Sequence, residues 1–309
     1  KEIEISKCIK KLGKIDDNIS RKVQSQYEEN PYPRWRYGNT YKKCKFNALG
    51  IINNDIKPNS IVLNSDLIKP RILIAGCGTG NQILEAQRYK NAIITAIDLS
   101  SSSIAYAKRK VNELEIKNIK FIQMDIMDLS LLNQKFDIIE CSGVLHHMSN
   151  PTRGLDSLLN VLVDNGFLKL ALYSSIAISD VIKAAEYISS RELKPTLENI
   201  QLFREEVLSG KYNGNTDFLD FRDFYSTSEL RDFFFHAQAN YFSLSQLNQL
   251  LEERSLKFLG FILHNKLKLI YNNHFPEDNL QNNLNNWEKF EILYPSTFRR
   301  MYQFWISNS

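Results

Sequence analysis

The 309-residue sequence has four cysteines, Cys8, Cys44, Cys77 and Cys141, widely separated and without a Cys-x-x-Cys pair. This pattern fits reduced intracellular thiols better than a disulfide framework or a zinc site. His236, His264 and His274 have no ligand spacing, so no metal is implied. No apolar run reaches the roughly 18 residues that a membrane span needs. No one sign of charge dominates: 39 basic and 35 acidic residues leave a net +4 spread along the chain. An excess that small argues for neither nucleic acid nor a membrane surface as partner. No internal repeat is present. The first residue is Lys1 rather than Met, so the lack of a leader weighs little, and the expected location is the cytoplasm. What remains is an ordinary globular composition, 43% hydrophobic and 24% charged, in a chain long enough for one large domain with an appendage.

From Arg71 to Ser174 short Ile/Val/Leu runs alternate with helical patterns, the βαβ rhythm of a parallel sheet covered on both faces. Strands are expected at Arg71 to Ala75, Ala92 to Asp98, Ile119 to Met124, Phe136 to Cys141 and Gly166 to Tyr173. Two more, Leu256 to Leu263 and Met301 to Ile306, complete a seven-stranded, mostly parallel Rossmann-like α/β sheet. After Ser174 strand signals vanish and helices follow, two of them opened by capping boxes, Ser226 with Glu229 and Ser243 with Gln246. A connecting helix around Trp287 lies between Pro276 and Pro295. The expected organisation is an N-terminal helical arm and cap (1–70), a core (71–174), a helical lid or substrate insertion after the fifth strand (175–255) and C-terminal strands (256–309).

The first strand ends in Ala75-Gly76-Cys77-Gly78-Thr79-Gly80, a turn tight enough to aim bare N–H groups at a ligand, or simply to join strand to helix. A dinucleotide fingerprint requires Gly-x-Gly-x-x-Gly. Here the third glycine place holds Asn81 and the glycine comes one residue early, at Gly80, which disfavours a nicotinamide oxidoreductase. Gly-x-Gly-x-Gly in this position resembles motif I of the class I S-adenosylmethionine-dependent methyltransferases. A methyl-donor pocket needs close backbone approach, an acid for the ribose hydroxyls and a polar grip on adenine. Gly76, Gly78 and Gly80 offer the first, and Asp98, 18 residues on at a strand end, suits the second. Asp125, just past the third strand, suits the third; Cys77, Leu99, Ile126 and Ser142 flank these positions.

The segment Cys141-Ser142-Gly143-Val144-Leu145-His146-His147-Met148 resembles the post-strand stretch that lines the acceptor side in many such enzymes, and it lacks the Asp/Asn-Pro-Pro-Tyr/Phe of base and amide methylases. Two flanks extend the resemblance, Tyr27 to Trp35 and Phe290 to Trp305, which look like those of bacterial methyltransferase domains fused behind tetratricopeptide repeats. The resemblance implies S-adenosyl-L-methionine as cofactor and a small-molecule or peptide acceptor. It also implies an arm with Tyr32, Arg34 and Trp35 folding over the site, and closure by Tyr173, Arg222, Tyr225 and His236. His146, His147 and His236 are candidate general bases, or packing groups under the cofactor. One departure stands out: Ile74 occupies the place where many members carry an acid for the methionyl ammonium. A non-catalytic nucleoside-binding scaffold is the alternative.

Overall fold

The apolar runs pair into one sheet in the computed structural model, which describes residues 1–38, 45–63 and 67–308; Cys44 lies outside them. Its strands are β1 (Lys10–Lys11), β2 (Arg71–Ala75), β3 (Ile93–Asp98), β4 (Ile119–Gln123), β5 (Phe136–Ser142), β6 (Leu162–Tyr173), β7 (Lys257–Phe261) and β8 (Met301–Ser307), in the order β1-β4-β3-β2-β5-β6-β8-β7. The expected count of seven is corrected to eight. The extra strand is a two-residue lysine pair that joins the β4 edge in parallel, with no apolar pattern to betray it. Neighbours from β1 to β6 pair in parallel, whereas β8 runs antiparallel to both β6 and β7. Central strands covered on both faces must be apolar throughout, and Ile72, Leu73, Ile74 and Ala75 are fully buried.

The helices are α1 (Glu2–Lys7), α2 (Asn18–Glu29), α3 (Ala48–Ile56), α4 (Asn81–Ala86), α5 (Ser101–Glu113), α6 (Pro151–Asn160), α7 (Ser179–Ser190), α8 (Leu197–Leu208), α9 (Thr227–Phe234), α10 (Leu244–Glu252), α11 (Asn265–His274) and α12 (Leu284–Leu293). One face of the sheet buries Ile72, Ile74 and Ile138 against α3, α4 and α5 through Ile52, Ile83, Ile104 and Ala107. The other buries Leu73, Ile97 and Ile139 among Leu155, Leu158, Leu247, Trp287 and Phe290 of α6, α10 and α12. Each such Leu, Ile or Phe side chain contributes about 1.5–3 kcal/mol on burial. A third core, built on Phe203, Phe218, Phe224, Leu230 and Phe234, holds α7, α8 and α9 together after β6.

Capping explains several helix starts. Ser100 accepts from Ser103 N–H, and Ser243 with Gln246 forms the full reciprocal box. The box expected at Ser226 is half formed: its hydroxyl accepts from Glu229 N–H, while the Glu229 carboxylate pairs with Arg222. Among the described residues no helix is long and apolar enough to cross a membrane.

Candidate active site

In an open α/β sheet the crevice lies past the carboxyl ends of the strands, where the strand order reverses. Here β2 pairs with β3 on one side and β5 on the other, and a cavity of about 320 Å³ opens above them. The glycine turn forms its floor. Gly76 N–H and Cys77 N–H both donate to Ile97 O, at 2.9 and 2.8 Å, which ties the turn to β3. All three glycines of the turn have positive φ. They differ in purpose. A Cβ at Gly80 would stand 3.0 Å from that of Ala107, so this residue serves helix packing and does not line the cavity. A Cβ at Gly78 would meet only Tyr32 O, at 3.6 Å, and one at Gly143 nothing within 4 Å; both glycines line the cavity.

Asp98 closes the turn from the other side. Its Oδ2 accepts from Gly78 N–H at 2.7 Å and its Oδ1 from Ser100 N–H at 2.9 Å, leaving a further lone pair on each oxygen. Burial raises its pKa to about 6, against the pull of those two N–H groups. Asp125 is buried at the cavity wall, with Oδ1 accepting from Met127 N–H at 3.0 Å. Cys77, Leu99, Ile126 and Ser142 line the same cavity, and burial pushes the Cys77 thiol well up. Ile74 is sealed in the core. A group that the sequence reading missed stands nearby: Gln82 donates from Nε2 to Ser142 O at 2.8 Å, and its Oε1 is a buried acceptor without a partner. Nothing marks this residue in the sequence beyond its place in the first turn of α4.

The arm reaches the site through α2. The Glu28 carboxylate accepts from Ser101 N–H at 2.6 Å and Ser102 N–H at 3.0 Å, capping α5 from outside, and Gln24 Nε2 donates to Leu99 O at 3.1 Å. Tyr32 enters the cavity, whereas Trp35 braces the glycine turn from behind, its Nε1 donating to Thr79 O at 3.0 Å. Arg34 stays exposed over the Tyr106 ring. Arg222 and Tyr225, expected to close the pocket, lie off it and exposed; the short 3-10 turn Arg222–Tyr225 points Asp223 and Phe224 inward instead.

The far end of the cavity is a chamber lined by Tyr27, Tyr32, Tyr173, Phe233, Asp232 and Asp223, with His146 and His147 in its wall. The hydrogen bonds assign the histidine tautomers. His147 Nδ1 lies 2.7 Å from Gln238 O and must donate, so its Nε2 accepts from His146 Nε2–H at 3.1 Å, while His146 Nδ1 accepts from Tyr173 N–H at 3.3 Å. Every ring nitrogen of the pair is thereby used. His236, stacked on His147 at 3.5 Å, accepts from Gln238 N–H at Nδ1 and so donates from Nε2 to Tyr27 Oη, 3.3 Å away. Burial lowers all three histidines, His147 to about 4, so the three are neutral at neutral pH. The Tyr27 hydroxyl in turn donates to Asp232 Oδ1 at 2.7 Å. Burial lifts Asp232 to about 7, partly offset by that bond. Asp232 has no prominence in the sequence: beside Arg231 on an amphipathic helix it reads as part of a solvated face.

Residues 72–166 match a family model described as a methyltransferase domain, a span that includes the glycine turn, Asp98 and Asp125. An uncharacterized protein of Synechococcus sp. is 30% identical over 191 residues, 57% of this chain and 42% of the relative. A ubiquinone biosynthesis O-methyltransferase of Coxiella burnetii is 27% identical over 199 residues, 63% of this chain and 80% of that enzyme. The fold is also that of PKMT2 from Rickettsia typhi, solved in complex with AdoHcy, at a TM-score of 0.63 and 18% identity, covering 90% of this chain and 55% of that one. The chain thus spans about half the length of the first curated relatives it matches, 42% and 54%. Residues 72–166 thus carry a methyltransferase domain, set in a Rossmann-like fold.

Proposed function

We propose that the protein transfers the methyl group of S-adenosyl-L-methionine by in-line displacement to a small molecule or a peptide or protein side chain held in the aromatic chamber. The observation that carries this reading is the continuity of one cavity from Asp98 and Asp125 at one end to Tyr173, Phe233 and Asp232 at the other. Donor and acceptor would share one enclosed space, which aligns them and keeps water out.

The residues present fit the cofactor. Asp98 has free lone pairs for two ribose hydroxyls, and Asp125 has one carboxylate oxygen, Oδ2, with no hydrogen bond among the described residues, suited to an adenine amino group. Gly78 and Gly143 leave room where a side chain would intrude. The unpartnered Gln82 Oε1 supplies an acceptor for the methionyl ammonium, the charge that Ile74 leaves without its usual acid. When bound, S-adenosylmethionine supplies an electrophilic methyl carbon on a sulfonium, so the chain's own task is positioning, water exclusion and removal of a proton from the acceptor.

The likeness to the Coxiella O-methyltransferase favours a second reading, a hydroxyl acceptor. Calorimetry with S-adenosylmethionine and S-adenosylhomocysteine tests the cofactor part of the proposal, and binding of both is expected; the absence of any heat at millimolar-range concentrations would refute it. A non-catalytic scaffold would bind them yet release no S-adenosylhomocysteine with any acceptor offered.

A further inference from the structure

We propose that the acceptor is a primary amine that enters as its ammonium ion, and that Asp232, acting through the Tyr27 hydroxyl, takes its proton. This rests on the methyltransferase reading above. The first ground is the tautomer assignment: with both nitrogens of His146 and of His147 engaged and His236 donating to Tyr27, no histidine of the cluster offers a lone pair to the chamber. Of the two chamber carboxylates Asp223 is paired with Arg300, which leaves the Tyr27–Asp232 pair as the proton-accepting group, and both of its residues line the cavity.

The second ground is charge. Asp232 is half-buried and lines the cavity, and among the described residues no Lys or Arg lies within ion-pair distance of it. The two nearby cations are already engaged. Arg231 pairs with Glu29 at 2.8 Å, and Arg300 pairs with Asp223 while its guanidinium lies over Phe221 and Phe233, at 4.2 and 5.0 Å. A carboxylate at the end of a chamber walled by Tyr27, Tyr32, Tyr173 and Phe233 is complemented by a cation on aromatic faces. A neutral hydroxyl acceptor would leave the enclosed charge uncompensated.

The chemistry balances without another reagent. The ammonium gives one proton to Tyr27 Oη as the Tyr27 proton passes to Asp232, so the phenol is restored and the carboxylate becomes a carboxylic acid. The freed nitrogen lone pair then forms the N–C bond to the methyl group while the C–S bond breaks with its electron pair left on sulfur. Burial holds the Tyr27 phenol well above its ordinary value, which suits a relay that keeps its proton between turnovers. The groups that set the titration of Asp232 are Tyr27 and Gln26 on α2, Asp223 in the 3-10 turn and Arg231 on its own helix. Against that background the rate rises through about pH 7 as the carboxylate ionises.

The test uses n-butylamine and Nα-acetyl-lysine amide as amine probes, with phenol and catechol as hydroxyl comparators. Calorimetry on the cofactor-free protein is expected to detect butylammonium binding, weakened about tenfold in Asp232→Asn. Methylation of the amines is expected to fall on the order of 10²- to 10⁴-fold in Asp232→Asn and to lose its rise near pH 7, with Tyr27→Phe intermediate. S-adenosylhomocysteine affinity serves as the folding control and should match that of the unaltered protein in both variants. Methylation of phenol or catechol but not of the amines overturns the proposal and leaves the methyltransferase reading intact. So does an Asp232→Asn variant with undiminished amine turnover, or butylammonium binding indifferent to residue 232. Loss of cofactor binding in the unaltered protein would instead sink the reading on which the proposal rests.

Discussion

The two ends of the cavity are built differently. The end proposed for the cofactor comes from one run of chain, Gly76 to Ser142, in which each strand end delivers its residue to a site framed by its neighbours. The end proposed for the acceptor is assembled from Tyr27 and Tyr32 in the arm, His146 and Tyr173 on the core, Asp223 and Asp232 in the helical region after β6 and Arg300 before the last strand. Local construction gives a fixed frame; assembly from distant segments gives a chamber whose chemistry can change without disturbing the donor site.

That contrast can be broken by substitution. The largest effect is expected from Arg300→Ala, which strips the buried Asp223 of its cation: about 3 kcal/mol of stability should be lost in urea unfolding, with S-adenosylhomocysteine affinity of the folded protein unchanged. A parallel collapse of cofactor affinity would show that the two ends are one unit. Next comes Asp98→Ala, expected to weaken S-adenosylmethionine binding by roughly 1.5–3 kcal/mol in calorimetry while butylammonium binding persists. Glu28→Ala removes the external cap of α5 and should cost about 1 kcal/mol, read as faster proteolysis of the arm.

The smallest effect is a proton count. Asp98 sits at about pH 6 when buried, above its unfolded value, so its ionised form disfavours the cofactor-free fold as pH rises through that interval. Ribose hydroxyls donating to the carboxylate reverse this and lower the pKa. Binding at pH 6 should therefore release a fraction of one proton, measurable as a buffer-dependent heat, and affinity should fall as pH drops from 7 to 5. No buffer dependence would place the ribose elsewhere.

The same contrast governs what the sequence discloses. Gly76, Gly78, Asp98 and Asp125 are legible because the geometry that unites them is that of consecutive βα units, whose spacing is fixed by strand and helix length. The helices after β6 are legible too: the pattern of apolar residues and caps predicts helices over 197–208 and 228–235, and they form at Leu197–Leu208 and Thr227–Phe234. The acceptor residues depend on contacts such as Tyr27 to Asp232, 205 positions apart, which no local pattern encodes. Arg222 and Tyr225 failed to reach the cavity because the 3-10 turn orients their neighbours Asp223 and Phe224 inward. β1 and α3 escaped notice for another reason: the first has only two charged residues, and the second lies in a stretch read only as part of the arm.

Tyr27 and Glu28 are consecutive on α2, yet one bonds Asp232 in the aromatic chamber and the other caps the helix that follows Asp98. Both contacts thus ride on one helix, so any displacement of α2 that broke the Glu28 cap would also draw the Tyr27 phenol off its carboxylate.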